Sequence, residues 1–191
     1  MKTLADLEQQ DMSWVKARRR RLFDKPRFEL RTSDGEVLAS ITRRGGWRSA
    51  VEVDAPGSHW LLEYKPRLFK RPQITIRSVG TGEEPAVFEP KGFEGTLTYP
   101  DGRVFTFTRH TRVFKATRWV WALPDGSPIL GIEIKSGWST RGEISLDPDI
   151  PTDVLTEKAP PLLLFLGWYL ILLHEDEQAA ASAAAMLPAM G

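Results

Sequence analysis

Few residues in this chain are placed to do chemistry. Its three histidines are His59, His110 and His174. None falls in the H-E-x-x-H spacing that lets one helix face hold zinc, and no G-x-S-x-G run exposes a serine at a strand-to-helix turn. Cysteine is absent, which removes disulfides, thiolate nucleophiles and cysteine-ligated zinc together. His59 stands in an apolar stretch, so it is expected inside the fold. Gly80-Thr81-Gly82 lacks the third glycine and the following helix of a dinucleotide loop, and so reads as a turn. Asp147, Asp149 and Asp153 are carboxylates of the kind a hard cation prefers. The sixth and twelfth positions of that loop hold Thr152 and Lys158 where a calcium loop needs Gly and Glu. His174-Glu175-Asp176-Glu177 reads as a solvated helix terminus. These patterns point away from an enzyme, and neither a metal nor a cofactor is expected.

Cations carry more information. Tyr64 to Arg77 contains Lys65, Arg67, Lys70, Arg71 and Arg77 with no acid at all except outside it, and Leu68 and Phe69 stand among them. Arg18, Arg19, Arg20 and Arg21 form a second cluster with Lys16, Lys25 and Arg27, close to Trp14, Leu22 and Phe23. Cations interleaved with apolar side chains suit an anionic membrane surface, where each contributes about 1 kcal/mol. The same mixture serves nucleic acid through phosphate contacts and stacking, the less favoured partner here. Either cluster also fits a solvated loop, or pairing with the chain's own acids.

The acids are unevenly spread. Net charge is +1, but residues 1–120 hold 23 Lys/Arg against 15 Asp/Glu, and residues 121–191 hold 3 against 10. Such asymmetry predicts either a basic face that meets something anionic or neutralisation within the fold. At 191 residues, 41% of them hydrophobic and 27% charged, the chain has the size and composition of a globular domain. No secretory signal is read in the first residues, and a cytoplasmic protein, peripheral at a membrane, is expected.

The elements that would position these residues are mostly strands. Val51/Val53, Ile74/Ile76, Phe105/Phe107, Trp119/Trp121, Ile132/Ile134 and Ile144/Leu146 are apolar pairs two apart, each defining one face of a strand. Asp34-Gly35, Asp101-Gly102 and Asp125-Gly126 mark tight hairpins between them. Roughly ten to twelve short strands result, the pattern of a sandwich or barrel. There is an internal echo: Trp47 and Trp138 each lie thirteen residues after the Asp of a DG turn, with Phe114 at the same offset from Asp101. Before the strands, residues 1–27 have helical spacing at Leu4, Leu7, Trp14, Val15 and Leu22, predicting a basic helix or mobile arm. After them, Leu162–Leu173 is twelve apolar residues, short of the roughly 20 that span a bilayer. A helix over about 160–176, apolar on every side, must be buried all round. Strands closing around it would satisfy both elements. An Ala-rich tail, 179–191, follows as a surface helix or a disordered end.

The hairpins Asp34 to Ala39 and Asp125 to Gly131, the strand His59-Trp60-Leu61-Leu62-Glu63, and the closing Ile144-Ser145-Leu146-Asp147-Pro148-Asp149 make a familiar order. With Leu162–Leu173 ending in His174-Glu175-Asp176-Glu177, residues 28–178 resemble the tubby C-terminal-like superfamily, which includes the plant LURP-one-related proteins and the phospholipid scramblases. The resemblance implies a closed antiparallel β-barrel of about twelve strands threaded by its hydrophobic C-terminal helix. It also implies lipid contact, since tubby domains bind phosphoinositide headgroups through a Lys-x-Arg pair. Lys65-Pro66-Arg67 and Lys25-Pro26-Arg27 both have that form. The Cys-rich and Pro-rich extensions of scramblases are missing.

The expected function is therefore non-enzymatic binding. Lys65, Arg67, Lys70, Arg71, Arg77 and Arg18–Arg21 are expected to recognise an anionic membrane surface or phosphoinositide. The alternative is a scaffold protein that binds a protein partner within a larger assembly.

Overall fold

A computed structural model describes residues 12–16, 26–44, 50–66, 72–80, 86–92, 94–111, 117–135, 141–146 and 159–185. The chain is mainly β: one antiparallel sheet and a single C-terminal helix among the described residues. The strands are β1 (Met12–Lys16), β2 (Arg27–Thr32), β3 (Val37–Arg43), β4 (Val51–Ala55), β5 (Ser58–Lys65) and β6 (Gln73–Ser78). They continue as β7 (Ala86–Lys91), β8 (Glu94–Thr98), β9 (Val104–Thr111), β10 (Thr117–Ala122), β11 (Pro128–Lys135) and β12 (Arg141–Leu146), and the helix α1 is Ala159–Ala185. Each strand pairs with the next in sequence. β1 is registered on one side against β2, with Trp14 opposite Leu30, and on the other against β12, with Met12 opposite Ile144.

Period-two burial turns this pairing into an inner and an outer face. Both members of Val51/Val53, Ile74/Ile76, Phe105/Phe107 and Trp119/Trp121 are buried, as their spacing predicts. His59 departs from its expectation. Trp60 and Leu62 take the inner positions of β5, so the pleat turns His59 outward and leaves it exposed.

Three hairpins share one loop. In Thr32–Glu36, Tyr99–Arg103 and Leu123–Ser127 the glycine N–H donates to the first residue's carbonyl at 2.9–3.0 Å. The first residue's N–H donates to the fifth's carbonyl at the same distances. The glycines Gly35, Gly102 and Gly126 sit at φ of 88–91°, the left-handed region that completes a three-residue hairpin loop. The aspartates hold the turn from outside: Asp101 and Asp125 each accept, through Oδ1, the backbone N–H two residues on.

The N-terminal segment differs from its expected helix or arm. Met12–Lys16 is a strand inside the sheet, and Trp14 is completely buried. Its indole stacks on that of Trp168 in α1, centroids 5.5 Å apart and nearly parallel, with Phe165 edge-on at 5.9 Å. Tertiary contact of one aromatic outweighs a weak helical period. Residues 1–11 and 17–25 lie outside the described residues.

α1 fills the inner face. Leu162 to Leu172 is buried without interruption, so every side of the helix meets the sheet. The helix outruns its expected end near 176 and takes in the Ala-rich stretch as far as Ala185, because alanine favours helix and nothing there breaks it. Asp176–Ser182 is exposed. At Gly167 the fit is tight: an added Cβ would stand 2.8 Å from Trp121 Nε1 and 2.9 Å from Ile132 Cδ1. Gly167→Val is therefore expected to cost about 3 kcal/mol of stability through overpacking, seen as a lower denaturant midpoint at unchanged slope. A midpoint equal to that of the parent protein would show that α1 has room to shift.

Candidate functional site

An up-and-down order sorts the connections by end. Every odd-numbered strand runs into the following even one at one rim, and every even strand turns back at the other. The second, the turn rim, carries the Asp-Gly hairpins. The first, the link rim, receives the segments 17–26, 44–50, 66–72, 92–93, 112–116 and 136–140. α1 starts after β12 at the turn rim and runs toward the link rim. Its acidic turn arrives there, since Asp176 pairs with Arg43 at the end of β3 (3.6 Å) and His174 meets Arg109 near the end of β9.

The expected site residues divide accordingly. Lys65 closes β5 at the link rim, half-buried, and Lys16 closes β1 there, exposed. Arg18, Arg19, Arg20 and Arg21, and likewise Arg67, Lys70 and Arg71, lie outside the described residues. Their segments join strand ends at that same rim. Arg77 belongs elsewhere: it is near the end of β6 that enters the turn rim, and its Nε is 3.7 Å from Glu63. Lys65 at the end of β5 and Arg27 at the start of β2 thus lie at one rim, three strands apart.

Sequence across these connections is strongly polarised. The six link segments contain twelve Lys or Arg and one acid, Asp24. The segments at the turn rim, 33–36, 56–57, 79–85, 99–103, 123–127 and 147–158, contain ten acids and two cations, Arg103 and Lys158. Linear reading sees a basic front and an acidic back. In connectivity, the basic segments are the links from odd to even strands and the acidic ones follow even strands.

Beside the helix exit is a cleft of about 470 Å³, floored by Ile74, Phe88 and Leu170 and edged by Lys91, His174 and Glu177. His174 corrects the expectation of a solvated terminus, being only 6% exposed. The Arg109 guanidinium lies 3.2 Å from its Nε2 and the Gln178 amide nitrogen 2.9 Å from the same atom. Trp119 packs edge-on against the imidazole (5.3 Å) and lies under the Arg109 guanidinium (5.6 Å). Burial, and then the Arg109 charge, hold the His174 pKa below its ordinary value, and Glu177 offsets part of this. Nothing in the sequence marks the pairing, because Arg109 and His174 are 65 residues apart. Among the described residues no three His, Asp or Glu side chains group to hold a metal ion, and no helix is long and apolar enough to cross a membrane.

No protein family, curated protein or solved structure matches the chain.

A histidine whose folded pKa is depressed stabilises the fold above its unfolded pKa, and that stability is lost as pH falls through the folded value. The melting temperature is thus expected to drop below about pH 6.5. The component due to His174, which faces Arg109, Glu177, Gln178 and Trp119, should vanish in His174→Gln. An identical pH profile in that variant would remove the histidine as the cause.

Proposed function

We propose that the sheet closes as a barrel around α1, β1 bridging β2 and β12, and that its link rim recognises an anionic lipid surface without catalysis. The reading is supported by connectivity: Arg18–Arg21 belong to the link between β1 and β2, and Lys65–Arg71 to the end of β5 and its link to β6, two connections made from odd to even strands. Clustering raises the local potential, and cations near an anionic leaflet contribute about 1 kcal/mol each. The acids of α1 compete only in part. Asp176 engages Arg43 at the surface, where such a pair contributes about 0–1 kcal/mol. The resemblance to tubby-like and LURP-one-related domains supports the same reading, with phosphoinositide as one lipid class. Arg77, paired with Glu63 toward the turn rim, is no part of it.

Co-sedimentation with vesicles decides the matter. Binding to anionic but not zwitterionic vesicles, weakened by salt, is expected. Neutralising Lys65, Arg67, Lys70 and Arg71 together to Gln should abolish it, whereas Arg77→Gln should leave it intact. A protein that ignores both vesicle types would turn attention to a protein partner, for which the oppositely charged rims are equally suited.

A further inference from the structure

The cleft beside the helix exit is lined entirely by described residues and takes no part in the lipid-surface reading. Its floor follows from strand register. Tyr64 of β5 stands opposite Ile74 of β6, and Ile74 opposite Phe88 of β7, so three large side chains form a row across the sheet. Phe88 is completely buried and edge-on to Trp121, with ring centroids 5.9 Å apart. Glycine at 95 leaves the space that the Phe88 ring occupies, because an added Cβ there would clash with it. The other wall is one face of the helix. Leu170, Leu173, His174 and Glu177 recur at the three- and four-residue spacing that aligns side chains on one side of α1.

Floor and edge differ in chemistry. Ile74, Phe88, Leu170 and Leu173, with Pro72 and Pro90 at the margins, carry no polar side-chain atom, so what lies on them must be apolar. At roughly 30 Å³ for each water-sized group, a volume of about 470 Å³ takes about fifteen of them, enough for one hydrocarbon chain and not for two. At the edge, Lys91 and Glu94 face one another across the β7–β8 hairpin, and Glu177 approaches from α1; all three are exposed. His174 adds no charge at neutral pH, because burial and then the Arg109 guanidinium hold its pKa down. The edge therefore presents both signs within one opening. A head group of a single sign would meet its own sign there as well as its opposite. One that carries both can set its anion by Lys91 and its cation by the carboxylates. Ion pairs among exposed side chains contribute about 0–1 kcal/mol, so they exchange readily for the charges of a ligand.

We infer that this cleft binds a single-chain amphiphile with a zwitterionic head, its chain on Ile74, Phe88, Leu170 and Leu173 and its head between Lys91 and the two glutamates. The inference goes beyond the lipid-surface reading. The ligand here is one molecule recognised by both of its charges, whereas the rim reading concerns the net anionic charge of a surface. Either can hold without the other.

Calorimetric titration with dodecylphosphocholine, kept below its micelle concentration at neutral pH, tests it. One molecule should bind per protein, about five-fold or more tightly than dodecyl phosphate or dodecyltrimethylammonium, which share the chain and carry one sign each. Lys91→Gln should shift the preference to dodecyltrimethylammonium, and Glu94→Gln/Glu177→Gln should shift it to dodecyl phosphate. A purely structural role for these residues would not reverse selectivity. Leu173→Ser should weaken all three ligands about ten-fold. Equal affinity for the three heads, or a preference that the exposed substitutions leave unmoved, would overturn the inference. So would the absence of saturable binding by the parent protein. If Leu173→Ser fails to fold, the reversal of head-group preference in the exposed variants decides alone. A parent protein that binds anionic vesicles but ignores dodecylphosphocholine would leave the lipid-surface reading standing and remove this one. The converse result would remove that reading and leave this one.

Discussion

An α-helix with no polar side is the constraint on which the structure turns. Leu162 to Leu172 leaves no face that water could tolerate, and burying each large side chain there contributes about 1.5–3 kcal/mol. A flat sheet covers one side of such a helix, and two helices would cover two. One antiparallel sheet of consecutively paired strands supplies the apolar side chains among which Leu162 to Leu172 is buried. The need runs in both directions, since the inner face, with Trp14, Phe88, Phe107, Trp119 and Trp121, has no other apolar surface to meet. Helix and sheet are each half of one core, and neither is expected to persist alone.

That mutual requirement explains why some local signals were decisive and others misled. Alternation is a backbone property, so pairs such as Val53/Val51 and Trp119/Trp121 were legible at once. Turn chemistry was equally direct: Pro100-Asp101-Gly102 and Pro124-Asp125-Gly126 set the φ values that a short loop demands. Trp14 was misread because Leu4, Leu7, Val15 and Leu22 give it a helical spacing, and its partners, Phe165 and Trp168, are more than 150 residues away. His59 was misread by counting apolar neighbours instead of asking which side of the pleat it occupies. Its register with Trp60 contained the answer. His174 was hidden by the acidic residues that follow it, although it is the last buried position of an apolar run.

The candidate site was legible in composition and not in arrangement. Sequence identified the cations at 16–27 and 65–77 but could not say that Lys16 and Lys65 end their strands at the same rim, nor that Arg77 lies toward the other. Strand order supplies this at once. In an antiparallel up-and-down sheet, alternate connections share a rim, so residues separated by two strands in sequence become neighbours in direction. The same rule exposes why the linear split of charge was only a partial clue. The acids of 147–158 follow β12 in sequence, whereas α1 brings Asp176 beside Arg43 at the end of β3.

The helix therefore has two roles that pull against each other. Its apolar middle fixes the strands, and its acidic end offsets part of the charge of the rim it reaches. Had α1 stopped at Leu173, Arg43 would lack Asp176, and repulsion among the cations at the strand ends would be less offset. Asp176 beside Arg43 relieves some of this at little cost, because an exposed pair is weak and readily exchanged. His174 marks the boundary between the two regimes: buried against Trp119 on one side and in contact with Arg109 on the other, it stays neutral where one more cation would be hardest to accommodate.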